Sequence, residues 1–290
     1  MAPHRQAHGH APIASRRMAR RLLSGTGCAT LSAYRRDAAP QVALHALTSA
    51  GHVLVAACPA PGHPLAGMEP GTQADIRLDI TLEAADPGLR ITAATAHLLG
   101  TLTWLDTDAV TLMAASDGAG CYCPITGEDP LEGLVGLADA PGGRIGVVLT
   151  DRVVIHDAHG VSGHALADIL DPSAGEGETL LWSAFDTMSA QEDVDGIGVL
   201  GLDVLCDGVL SGAVPGVLCS HRSAEGLCAS LHGRILCVDV APGAVTLMRL
   251  SPTCVETFQV WLPTTMRRAC EAAPHLEGLV GELVGRTLRG

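Results

Sequence analysis

The sequence predicts an α+β protein, with an N-terminal antiparallel β-barrel followed by a smaller α+β domain. Three observations carry this. Residues 76–83 alternate cleanly: Ile76, Leu78, Ile80 and Leu82 share one face, and Arg77, Asp79, Thr81 and Glu83 the other, as in a strand with one solvated side. The run "TAATAHLLGTLTW" (92–104) has small residues on both faces, which suits a curved barrel wall where backbones approach closely. Strand-like runs crowd the first half, whereas helical segments gather in the second. The expected organisation is a disordered tail over 1–12, a barrel domain over 13–160 and an α+β domain over 161–290.

The His-rich opening "MAPHRQAHGHAP" reads as the tail, with adventitious metal affinity at most. "IASRRMARRLLSGTG" reads as a helix ending near Ser24, its glycines supplying a C-cap. "CATLSAYR", "VALHALTS" and "HVLVAAC" are short strands, the last two joined by a hairpin turn at "SAG" (49–51). Residues 144–149 and 152–157 are two more, tightly joined. "SGHALADIL" reads as a helix capped by Ser162, and "SAGEGETLLWSAFDTMSAQED" as an acidic amphipathic helix. The glycine-rich "DGIGVLGLDVLCDGVLSGAVPG" reads as paired strands, and "SAEGLCASLHG" as a helix. A hairpin turning at Ala-Pro-Gly, a strand "CVETFQVWLP" and a C-terminal helix broken at Pro274 complete the chain.

Composition excludes several chemistries. There is no Lys and no Asn, so a lysine Schiff base and an asparagine donor are ruled out. Three Trp, two Tyr and two Phe are too few for base-stacking platforms, so no nucleic-acid partner is expected. Residues 1–36 hold seven of the 18 Arg and no acid, within a chain of net charge −13; this basic leader is read as facing solvent or the acidic body. No apolar run is long enough for a membrane span or a secretory signal, which gives a cytoplasmic reading with no membrane partner. The ten Cys have irregular spacing and read as buried free thiols, and the Cys121/Cys123 pair lacks the second half of a zinc site.

No nucleophile-elbow signature appears, and the G-x-G-x-x-G match at 196–201 lacks a preceding strand and is not expected to open a helix. Among 13 His, the candidates are His63 in the loop "PGHPL", His97 on the barrel strand, and His156, His159 and His164 with Asp157, whose spacing matches no established metal motif.

The order "ATLSAY", "VALHALTSAGHVLVAA", "GHPLAG", "DIRLDITLEAADPGLRITAATAHLLGTLTWL", then "GRIGVVLTDRVVIHDAHGVSGHALADIL" and "VWLP" resembles the split β-barrel of the pyridoxamine-phosphate-oxidase-like flavoproteins. It is most similar to their actinobacterial haem-utilisation branch. That resemblance implies a homodimer binding FMN or haem in grooves between barrels, with oxidoreductase or haem-utilisation activity. The phosphate-gripping basic cluster is thin here, reduced to Arg77 and Arg90 with Thr92 and Thr95, and "GHALAD" at 163–168 matches the family's His-Ala-Asp-type helix only loosely. The expected cofactor site is the barrel rim at Arg90, Thr92 and His97, with His63 close by. Set against it is a non-catalytic binding or interaction protein that keeps the barrel without a cofactor.

Overall fold

The computed structural model describes residues 4–84, 86, 88–106, 109, 130–171, 182–263 and 266–288. The first sheet is built from β1 (Cys28–Ala33), β2 (Gln41–Leu47), β3 (Val53–Ala57), β4 (Gln73–Glu83), β5 (Thr92–Trp104), β6 (Arg144–Leu149), β7 (Arg152–Asp157) and β8 (Gly160–Ala165). Every pairing is antiparallel. The order β4-β1-β2-β3-β6-β5 closes through β4–β5 into a barrel, and β7 and β8 extend it beyond β5.

The alternation read from sequence sets the register. Ile76, Leu78 and Ile80 point inward from β4, and Ala94, Ala96, Leu98, Leu102 and Trp104 from β5. Small residues on β5 matter where the β6–β7 corner crosses it: a Cβ on Gly100 would lie 2.3 Å from the Leu149 carbonyl oxygen, so only glycine fits. The barrel interior is thus filled by side chains.

Helix α1 (His4–Leu23) drives Ala19, Leu22 and Leu23 into the barrel core. It starts at His4, so residues 4–12 continue the helix where a disordered tail was expected. Ala7, Gln6 and Arg5 are good helix formers, a propensity that the histidine-rich composition masked. The outer face of β2, β3 and β6 is covered by α2 (Pro130–Ala138), through Leu131 and Leu134 against Ala46, Leu54, Ala56 and Ile145. The barrel unit runs past residue 160: β8 pairs with β7, and α3 (Leu166–Leu170) seats Ile169 in the barrel core. Ser162 accordingly lies on a strand instead of capping a helix. Cys121 and Cys123 fall outside the described residues.

The second unit contains α4 (Ala184–Asp195), α5 (Gly198–Ser211), β9 (Gly216–Ser223), β10 (Ile235–Ala241), β11 (Ala244–Leu250), β12 (Cys254–Trp261) and α6 (Ala272–Thr287). Its four strands form an antiparallel sheet in the order β10-β11-β12-β9. Four expectations need correction. The glycine-rich stretch read as paired strands is α5, because Leu202, Leu205, Cys206 and Val209 recur at i, i+3, i+4 and i+7 and are all buried. Consequently G-x-G-x-x-G does open a helix, but one that follows α4 and not a strand. "SAEGLCASLHG" forms only a 3₁₀ turn at Ala229–Leu231. Pro274 sits in the first turn of α6, where its missing N–H costs nothing, so no break occurs.

The described cysteines are free, and only some are buried: Cys206 and Cys237 lie in the core, whereas Cys28, Cys58, Cys228 and Cys270 are exposed. Burial pushes the Cys206 and Cys219 thiols up to about 12, and that of Cys237 upward too. The Ser230 hydroxyl lowers Cys228 by hydrogen bonding. A short alkylation pulse near neutral pH, read by mass spectrometry, should label the exposed four and spare Cys206, Cys219 and Cys237 until denaturant is added. Labelling of Cys206 as fast as Cys228 would contradict this packing.

His45 is buried against the end of α1 and donates from Nε2 to the Leu22 carbonyl at 2.6 Å. Burial lowers its pKa from 6.5 despite that bond, and burial with the nearby Arg16 cation lowers His164. Both are more basic in the unfolded chain. Their contribution to stability is therefore complete above pH 6.5 and lost as pH falls below it, for His45 at up to about 1.4 kcal/mol per pH unit. Thermal midpoints measured on mild acidification should fall, and His45→Gln should flatten that dependence.

Candidate functional site

The residues expected to form a rim site are not brought together. Arg90 is exposed and paired with Glu83. Thr92 is exposed at the start of β5, opposite Glu83. His63 lies at the other end of the barrel: its loop is tied down by Trp104 Nε1, which donates to the Leu65 carbonyl at 3.0 Å, and by the Arg144 guanidinium. From Thr92 to Trp104 is about 40 Å of strand. His63 itself is held by the Ala39 carbonyl at 3.2 Å.

His97 sits between those ends on the outward face. Its Nδ1 lies 2.5 Å from Asp79 Oδ1, and its ring meets His156 edge-on with centroids 5.0 Å apart. Asp79 also takes Arg77 at 2.7 Å in an ion pair on the outer surface. Burial raises the Asp79 pKa, but bonds from Arg77 and His97 outweigh it and hold the carboxyl below its usual range. His97 is therefore part of an outer wall. The trio His156, His159 and His164 is dispersed as well. His156 faces His97, and His164 Nε2 shares hydrogen bonds with Ser15 and Ser162 at 3.0 Å.

A cavity of about 380 Å³ lies elsewhere, where three distant segments meet. One wall is α1, through Ala14, Arg17, Met18 and Arg21 at i, i+3, i+4 and i+7, a single helical stripe. The second is the barrel edge, through Ala93 and the β7–β8 turn at Asp157, Ala158 and His159. The third is the face of the second sheet turned away from its helices, through Asp239, Thr246, Gln259 and Trp261.

Asp239 reaches this wall because of a β-bulge. Ile235, Cys237 and Val240 point into the second core; strict alternation would put Asp239 there too. The register shift between Cys237 and Asp239 sets Asp239 opposite Thr246 on the cavity face. There Arg21 Nη1 donates to both carboxylate oxygens at 2.8 and 2.9 Å, with both residues buried.

Two polar groups on the cavity wall stay uncommitted. Arg17 reaches toward the β10–β11 turn, and no carboxylate pairs with it among the described residues. His159 is fixed through its backbone N–H, which donates to Asp157 Oδ1 at 2.8 Å, and its Nδ1 lies 4.0 Å from Cys219 Sγ. Its Nε2 is buried without any hydrogen-bond partner among the described residues. A buried ring nitrogen left unpaired is costly and uncommon, and so points to a ligand. Sequence reasoning had His159 among its candidates without its surroundings. The usable signal was Asp239 in the apolar strand "ILCVDVA", a charge that required a cation from the basic leader.

No family model matches the chain, and no curated protein matches it. Among solved structures it is similar to a haem binding protein from Mycobacterium smegmatis, at 13% identity and a TM-score of 0.43, over 95% of this chain and 98% of that one. A protein of unknown function from Agrobacterium tumefaciens is similar at 14% identity and a TM-score of 0.35, over 94% of this chain and 96% of that one.

Proposed function

We propose that the chain binds a small, largely apolar ligand carrying an acidic group in the cavity between α1, the barrel and the second sheet, and that the ligand is haem. The unpaired Nε2 of His159, a residue of the cavity wall, carries this reading, since a small rotation of the ring would offer that nitrogen to a ligand. A volume of about 380 Å³ lies within the range of small-molecule sites. Met18, Ala93, Trp261 and Leu262 supply apolar surface, and Arg17 a cation for a carboxylate. His159 would be the axial ligand, and Arg17 would hold an acidic substituent. Haem bound there would supply one-electron or oxygen chemistry.

FMN suits these residues less well. Its phosphate needs a cation or several N–H donors, and the two arginines expected for it, Arg77 and Arg90, are already neutralised by Asp79 and Glu83 on the barrel exterior. Arg21 is likewise committed to Asp239, so Arg17 alone is left in the cavity lining, one cation for a carboxylate and short of the several donors a phosphate takes. Redox turnover is a further step that binding does not require, and the homodimer implied by the family resemblance belongs to the same reading.

Titrating the purified full chain with haem should give a saturable Soret change at one equivalent per chain, and FMN should give none. His159→Ala should weaken haem binding by about tenfold or more and shift the band, and Arg17→Gln should weaken it less. His63→Ala and His97→Ala should leave the band where it is. A Soret response that His159→Ala does not alter, or tight FMN binding, would overturn the proposal.

A further inference from the structure

On the opposite face of the second sheet, at the end of the layer covered by α5, three metal-ligating side chains converge. Glu256 on β12 lies directly across from His221 on β9, and Cys254, two residues before Glu256, shares their face. One ligand atom from each of His221, Cys254 and Glu256 lies within 4.8 Å of the other two. The sheet register alone makes this cluster, since i and i+2 on one strand and the cross-strand partner of i+2 are neighbours on one face.

We propose that His221, Cys254 and Glu256 form a Zn²⁺ site with an open fourth position. The donor set is one thiolate, one imidazole and one carboxylate, the mixture a borderline-soft d¹⁰ cation favours; calcium and magnesium prefer oxygen alone. Bonds of about 2.0–2.3 Å need only small side-chain rotations from the present separations.

The surroundings position the ligands. Arg249 donates to Glu256 Oε2 at 2.8 Å, which holds the carboxylate in place and leaves its other oxygen for a metal. That guanidinium is itself held by Asp203 at 3.0 Å and Asp207 at 2.7 Å, so three carboxylates surround one cation and the neighbourhood stays negative. Ser251 Oγ lies 3.1 Å from Cys254 Sγ and fixes the thiol. His221 is exposed and Cys254 half-buried, so a hydrated ion has a route in. On binding, the Cys254 S–H proton passes to solvent and the thiolate takes its place on the metal. With three protein ligands, the fourth position is left for water or an incoming donor.

The test uses the reduced full chain freed of metal by a chelator, with Co²⁺ as optical probe and Zn²⁺ as competitor. One equivalent of Co²⁺ should produce a thiolate-to-cobalt charge-transfer band that Zn²⁺ abolishes with release of a proton. Histidines of the leader cannot give that band. Cys254→Ser should remove it, and His221→Ala, at an exposed position, should weaken Zn²⁺ binding by at least about tenfold. The double variant Cys121→Ser/Cys123→Ser should retain the band. Absence of the band in the unaltered chain, its survival in Cys254→Ser, its loss in the Cys121/Cys123 variant, or Zn²⁺ affinity unchanged in His221→Ala would each overturn the site.

Discussion

The structure depends on one buried ion pair. Arg21, in the last turn of α1, and Asp239, on a bulged strand of the second sheet, are separated by 218 positions in sequence and are buried against each other. Desolvating two such charges costs several kcal/mol per ion, so the pair contributes little net stability against an apolar replacement. Its effect is on geometry. Either charge left alone in that interior would be strongly unfavourable, so the second sheet docks on α1 only in the register that brings them together. Other bonds hold the same arrangement: Arg20 reaches the Ile169 and Leu170 carbonyls, His45 takes that of Leu22, and Arg234 on the second unit meets Asp86 of the β4–β5 connection at 2.9 Å.

Making α1 a shared wall leaves a gap beside it. The cavity is the space left beside the ion pair between α1, the barrel edge and the second sheet. Within that space the charge of Arg21 is cancelled, whereas among the described residues Arg17 has no carboxylate partner and His159 Nε2 no hydrogen-bond partner. Unpaired buried polar atoms are rare, which sets His159 Nε2 apart from the other described histidines. The exterior arginines and histidines of the barrel show the contrast: Arg77, Arg90 and His97 each have a carboxylate partner.

Much of the barrel was legible from sequence because its strands obey local rules. The alternation of 76–82, the small residues of 92–104 and the turn near Gly51 each fix a face or a reversal within a few residues, as the turn near Gly243 does in the second sheet. In the second unit glycine misled. Seven-residue spacing of buried side chains in α5 outweighed the propensity cost of Gly201 and Gly208, the latter packed closely against Val214 and Leu283. The site was less legible still. Its walls come from residues 13–21, 93, 157–159 and 239–263, and no local pattern announces that these meet. Arg90 and His63 looked adjacent because both flank barrel strands, yet a long strand sets them at opposite ends. The bulge that turns Asp239 out of the core is likewise a tertiary event, visible in sequence only as an acid out of place.

The most direct test of the central claim is a double-mutant cycle on the pair. Equilibrium unfolding of Arg21→Met, Asp239→Leu and the combined variant should show each single change costing about 3–5 kcal/mol, and the combination far less than their sum. Single changes costing under about 1 kcal/mol, or effects that simply add, would mean that the two charges do not hold α1 against the second sheet.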